Sequence, residues 1–141
     1  NNLVRVLACI VLLSAVPQQE LLANEDAGAL AALLAVVDRW QPVLDGGFGA
    51  LAVAADAGAA VQALGTLHGY GLAIHAEAAA LRRAWPRLRR MLLIPAFGPF
   101  FTRVAPFVGR YTTILDATSK RFASNPGVTA ALARVRGLAG R

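Results

Sequence analysis

Apolar side chains recur along this chain at spacings of three and four residues. Leu30, Leu34 and Val37 follow Asp26 in this way, and Ala60, Leu64 and Leu67 follow Asp56. That spacing lays an apolar stripe along one face of a helix, whereas a half-buried strand would alternate every second residue. The two stretches echo each other: Asp26-Ala27-Gly28-Ala29 returns thirty residues later as Asp56-Ala57-Gly58-Ala59. Each Asp predicts a helix N-cap, because its carboxylate accepts from the free N–H groups of a first turn. The template also fits the start of the chain, with Asn2 as cap and Val6, Ile10 and Leu13 as stripe. Breaks follow at Pro17, at Pro42 and at Gly69-Tyr70-Gly71. An apolar stretch behind each break predicts a second helix returning antiparallel. Helical hairpins at a period near 30 residues predict an all-α protein whose antiparallel hairpins stack as a short, solenoid-like array.

The pattern changes further on. Residues 72–85 read as one helix, and Pro86 is suited to open another, since a proline at the first helical position lacks only an N–H that would have no partner there. Pro95, Gly98, Pro99 and Pro106 predict irregular chain or short helices over residues 94–106. Residues 108–123 predict a helix with Ile114, Leu115 and Phe122 inward. Ser124-Asn125-Pro126-Gly127 then marks a stop and a fresh start. The last helix, residues 128–138, carries Val128, Leu132, Val135 and Leu138 on one face, with Gly137 and Gly140 fraying its end. The expected organisation is one domain, with hairpin repeats over 1–93 and a helical, Arg-rich segment over 94–141.

Composition sharpens the fold class more than the function. The chain is 57% apolar over 141 residues, but much of that is Ala, a small residue and the best helix former. The uncharged run over residues 6–19 falls short of the roughly 18 residues a spanning helix needs. Residues 57–76 are uncharged but hold four Gly, two His and a Gln, and residues 91–102 are broken by Pro and Gly. Core helices are the better reading of the unbroken runs. The opening stretch also has to be weighed as a signal peptide, with Arg5 as its charged start and residues 7–16 as its apolar core, although no small-x-small cleavage site precedes Gln18. The single Cys9 cannot form an internal disulfide and reads as a buried thiol.

Charge divides the chain in two. Residues 1–80 hold Arg5 and Arg39 against seven acids, a net of −5, while residues 81–141 hold twelve basic side chains against Asp116, a net of +11. All but Lys120 of those twelve are Arg, whose planar donor fork suits phosphate. The expected ligand is therefore a polyanion, held by Arg82, Arg83, Arg87, Arg89 and Arg90, with Lys120, Arg121, Arg134 and Arg136 extending the footprint. Arg83, Arg87 and Arg90 would share one helix face if Pro86 only kinks the helix. Trp85 and Tyr111 are candidates to stack on bases, with core packing the stronger expectation for Trp85. The bland counterpart is a solvated basic face, or contact with acidic protein partners. His68 and His75 lie seven residues apart without neighbouring Cys or paired carboxylates, so neither metal nor cofactor is expected. No nucleophile–base pair, paired catalytic carboxylates or phosphate loop can be picked out, so the chain reads as a non-enzyme.

Two stretches, NNLVRVLACIVLLSAVPQQELLA and DAGAAVQALGTLHGYGLAIHAEAAALRRAWPRL, resemble the degenerate helical-hairpin repeats of organellar RNA-binding proteins of the octotricopeptide, RAP-domain and FAST-kinase-like kinds. Asp56, Ala63-Leu64, Leu67 and Gly69 match the first helix and turn of such a repeat, and residues 78–83 the second helix. The resemblance covers residues 1–93. It implies a mitochondrial protein that binds RNA, and a non-catalytic structural subunit of an RNA-containing assembly. The mitochondrial ribosome is the best single parent, with rRNA and neighbouring protein subunits as partners. Residues 111–132 are also similar to the last helices of glutathione transferase C-terminal domains, without the thioredoxin-like half, so no activity follows. The alternative function is an accessory subunit of a mitochondrial or photosynthetic membrane complex, its apolar segments facing membrane partners and its arginines lipid headgroups.

Overall fold

The computed structural model describes residues 24–140, which are mostly helical with no strand among them. The copy of the sequence template at Asn2, the break at Pro17, Cys9 and the signal-peptide reading lie outside these residues. The elements are α1 (Asn24–Ala52), α2 (Ala57–Ala84), the single-turn α3 (Leu88–Met91), a 3-10 turn (Pro95–Phe97), α4 (Gly98–Arg121), α5 (Pro126–Gly137) and a closing 3-10 turn (Leu138–Gly140).

The all-α class holds, but the thirty-residue hairpins do not form. Each copy of the echo is one long helix. α1 runs straight through Pro42. Pro42 removes one donor to the Asp38 carbonyl. Both residues lie on the exposed outer face, where water can take that carbonyl, while Val37, Phe48 and Leu51 on the inner face are buried. α2 runs equally through Gly69-Tyr70-Gly71. Gly71 permits a close approach: a Cβ built there would lie 2.2 Å from Leu138 Cδ1. Tyr70 packs its ring 6.0 Å from that of Trp40. The echo therefore marks the two arms of a single hairpin. Its arms are antiparallel, with Gly28 beside Trp85, Arg39 paired to Glu77 and Gly47 against Leu67.

Caps explain where the helices begin. Asp56 accepts from the Ala59 N–H at 2.8 Å, as its position predicts. Asp26 does not cap, because α1 already includes Asn24; with Glu25 it sits in the first turn, where negative charge favours the helix dipole. The stop before α5 is as expected, with Asn125 accepting from the Val128 N–H at 3.1 Å and Pro126 in the first turn. The expected irregular stretch over 94–106 is mostly helix: α4 starts at Gly98, tolerates Pro99 in its first turn and continues through an exposed Pro106.

α4 and α5 form a second hairpin that stacks on the first. α4 runs parallel to α1, since Arg103 meets Asp38, Arg110 meets Asp45 and Arg121 meets Ala54. α5 runs parallel to α2, with Gly127 near Val61 and Leu138 near Gly71. The order around the bundle is α1, α2, α5, α4. Leu51, Leu64, Val128, Phe48, Phe107 and Tyr111 share the main core, so residues on both sides of position 93 build one interior. A second cluster closes the end of the bundle where α1 starts and α2 finishes. There Phe97, with no exposed surface, packs with Ala29, Leu30, Leu88, Met91 and Phe101.

Two glycines of α1 make a controlled comparison. A Cβ at Gly49 meets nothing within 4 Å, whereas one at Gly47 would lie 2.7 Å from Leu67 Cδ2. Leu67 is 3% exposed and packed in the main core. Gly49→Ala is expected to raise stability by about 0.5–1 kcal/mol through helix propensity. Gly47→Ala is expected to lower it by about 1–2 kcal/mol, because overpacking outweighs the same gain. Urea midpoints of the two variants check this.

Candidate polyanion-binding site

The charge division has a cause inside the fold. Because α4 lies parallel on α1, the seven-residue interval between Asp38 and Asp45 faces the same interval between Arg103 and Arg110. Arg103 Nη2 donates to Asp38 at 2.7 Å and its Nε to Gln41 at 3.3 Å, while Arg110 Nη2 donates to Asp45 at 2.7 Å. Arg87 bonds Glu25 at 2.6 Å, Arg39 pairs with Glu77 at 2.9 Å, and Arg136 with Asp116 at 2.8 Å. Four of the pairs have both side chains exposed and Glu77 of the fifth is half-buried, so water screens them and they add little to stability. The matched spacing of the Arg103–Asp38 and Arg110–Asp45 pairs serves the register of α4 on α1 more than stability. Arg103 and Arg110 were the arginines to read for this, and the signal was the matched interval on the two halves.

The nine predicted site residues therefore separate. Arg87 and Arg136 are occupied by carboxylates. Arg121 donates to the Ala54 and Ala55 carbonyls at 2.6 and 3.3 Å and lies 4.8 Å over the Phe122 ring, which ties the α1–α2 turn to the end of α4. Arg82, Arg83, Arg89, Arg90, Lys120 and Arg134 are exposed, and their side chains make no ion pair or hydrogen bond among the described residues. Of these, Arg82 and Arg83 sit in the last turn of α2, and Arg89 and Arg90 on α3, one turn of chain away. Lys120 belongs to the last turn of α4, at the opposite end of the bundle, and Arg134 to α5. The expected single face through Arg83, Arg87 and Arg90 does not exist, because α2 stops at Ala84 and Trp85 leaves helical geometry at φ −126° and ψ 84°. Trp85 is packed on the second cluster, and Tyr111 is 8% exposed, so neither is placed to stack on a base.

Tyr111 has a structural role. Its ring stacks on Phe48 at 4.1 Å between centroids, and its hydroxyl donates to Asp45 Oδ1 at 2.5 Å, the oxygen that Arg110 also reaches. The Tyr111 bond, then Arg110, hold the Asp45 carboxyl below its ordinary value of 3.8. Burial, then the bond to Asp45, push the Tyr111 phenol above its ordinary 10.0. The Asp45 contribution is thus present above pH 3.8 and lost as pH falls through its lower folded value. The Tyr111 contribution is present below pH 10.0 and lost as pH rises beyond it. Tyr111→Phe should lower stability by about 1–2 kcal/mol at neutral pH and remove the phenol's share of the alkaline loss. Urea midpoints from about pH 3 to about pH 11 measure both effects.

His68 and His75 share the continuous α2, and His75 Nε2 lies 2.8 Å from the Leu138 carbonyl oxygen, at the end of α5. No group of three His, Cys, Asp or Glu gathers to hold a metal among the described residues. The chain matches no family model, no curated protein and no solved structure.

Proposed function

We propose that this protein is a non-catalytic structural subunit of an RNA-containing assembly, and that it holds RNA phosphates through Arg82, Arg83, Arg89 and Arg90. The observation that carries the reading is that these four arginines, on the last turn of α2 and on α3 at one end of the bundle, have no side-chain partner among the described residues, while Arg39, Arg87, Arg103, Arg110 and Arg136 are paired to carboxylates. Guanidinium groups without a carboxylate partner are available to phosphate, and phosphate contact positions a protein without reading sequence. Arg87, Arg121 and Arg136 leave the proposed footprint, and Lys120 and Arg134 are too dispersed to belong to the same contact. The mitochondrial ribosome is the parent assembly that the resemblance of residues 1–93 favours, which would place the protein in the mitochondrion. Sedimentation of native extract with and without RNase tests the proposal. The chain should travel with a large particle that RNase dissolves; sedimentation indifferent to RNase would sink it.

One observation favours the second reading, an accessory subunit of a membrane complex. The 28 residues Glu25–Ala52 of α1 are long and apolar enough to cross a bilayer. Such a helix would have to carry Asp38, Arg39 and Asp45 with it, beside Glu25 and Asp26 at its start. Carbonate washing separates the readings, because an embedded subunit stays with the membrane fraction and a peripheral one leaves it.

A further inference from the structure

Between α1, α2 and α4 lies an apolar slot of about 230 Å³, open on one side. Val37 and Trp40 of α1, Ile74 and Ala78 of α2, and Val104 and Phe107 of α4 are among its walls. α5 contributes none of them: it ends at Gly137, and Leu138 is seated against Gly71, one turn before Ile74. The slot is larger than the cavity of roughly 150 Å³ with such walls that stays dry and takes up benzene. It is preformed, since the Trp40 indole is fixed by donating from Nε1 to Glu77 at 2.6 Å. Gln41, at its edge, has its Oε1 engaged by Arg103. Charge enters at one end. Gly71, Ala78 and Arg82 fall on one stripe of α2, at intervals of seven and four residues. Arg82 therefore stands one turn beyond Ala78, on the side of α2 that faces Leu138 at Gly71. Its guanidinium is exposed and has no partner among the described residues. Glu77 does not compete for it, being held by Trp40 and Arg39 on the α1 side.

We propose that this slot binds a single-chain alkyl carboxylate, its tail between the three helices and its carboxylate on Arg82. Removing the tail from water supplies the affinity. The planar guanidinium fork matches a carboxylate and fixes which end of the ligand faces out. One unpaired cation beside walls that are otherwise apolar selects a ligand with one anionic head and one apolar tail. The volume sets the length. At the space per carbon that benzene takes in its cavity, the slot holds roughly nine carbons, the tail of decanoate. The inference does not rest on the RNA reading. Arg82 is common to both, but Arg83 lies off the stripe of Ala78 and Arg82, and Arg89 and Arg90 belong to α3.

Trp40 and Trp85 are the only tryptophans, so Trp85→Phe in the full chain leaves the slot's own indole as the reporter. In that background, decanoate below its micelle limit should shift the Trp40 emission to the blue and saturate. Arg82→Gln should weaken decanoate about tenfold, the worth of one hydrogen bond to a charged group, and leave decanol unchanged. Ala78→Phe should fill the slot and abolish the response to both ligands, with the helical circular dichroism unchanged. Replacing Arg83, Arg89 and Arg90 together by Gln should leave decanoate binding in place, so failure of the RNA reading would appear in RNA affinity alone. Decanol bound as tightly as decanoate, with Arg82→Gln without effect, would overturn the carboxylate in favour of a neutral apolar ligand. No saturable response to either ligand would overturn the site itself.

Discussion

Replacing Arg82, Arg83, Arg89 and Arg90 together by Gln is expected to weaken binding to structured RNA by about a hundredfold to a thousandfold near physiological salt. Four lost phosphate contacts should also flatten the slope of log affinity against log salt by about three. Fluorescence anisotropy with a labelled RNA hairpin, from about 50 to about 200 mM KCl, measures both quantities. The informative control is Arg103→Gln with Arg110→Gln. These guanidinium groups are engaged by Asp38 and Asp45, so their loss should leave the salt slope in place. Equal losses from the quadruple variant and the control would mean that net charge alone attracts RNA, and would remove the case for a site at the end of α2. No loss from either would end the RNA reading. Because the four arginines are exposed and unpaired among the described residues, the quadruple variant should unfold at nearly the same urea concentration as the unaltered chain.

The helical class was legible in the three-and-four spacing behind Asp56, and so were the Asp56 cap, the Asn125-Pro126 restart and the inner face of the last helix. The misreadings share one physical origin. Pro42 and Gly69-Tyr70-Gly71 are local punctuation, and a proline inside a helix costs about 3 kcal/mol. Burying side chains such as Phe48 and Leu51 gains about 1.5–3 kcal/mol each, which offsets that local cost only once the partner helices are in place. No window of sequence contains both terms. Gly71 looked like a turn for the same reason, since its purpose is set by Leu138, 67 residues further on. The charge division was visible as a count, but its meaning depended on the parallel placement of α4 on α1. Only that placement turns the Asp38–Asp45 and Arg103–Arg110 intervals into facing ladders. The fold pairs Arg87 and Arg136 with carboxylates and ties Arg121 to the α1–α2 turn, which a count of arginines does not show.

The largest loss of stability is expected from Phe97→Ala. Phe97 has no exposed surface and joins the 3-10 turn to α4 while filling the space between Ala29, Leu30, Leu88, Met91 and Phe101. Truncating a buried Phe costs about 3–5 kcal/mol, a large part of the about 5–15 kcal/mol by which a domain is held folded. The urea midpoint should fall accordingly, and Phe97→Leu should recover much of it by refilling the space. The same substitution also probes the site. α3 is a single helical turn whose buried residues are Leu88 and Met91, both in the Phe97 cluster, and it carries Arg89 and Arg90. Emptying that cluster should loosen α3 while the main core still holds α1, α2, α4 and α5 together. Leu64→Ala removes a residue equally buried in the main core, far from α3 in the bundle. At temperatures where both variants are still folded, Phe97→Ala should weaken RNA binding and Leu64→Ala should not. Equal RNA affinity for the two would mean that Arg89 and Arg90 do not rely on a fixed α3, and the four arginines would then act as a diffuse charge instead of a formed site.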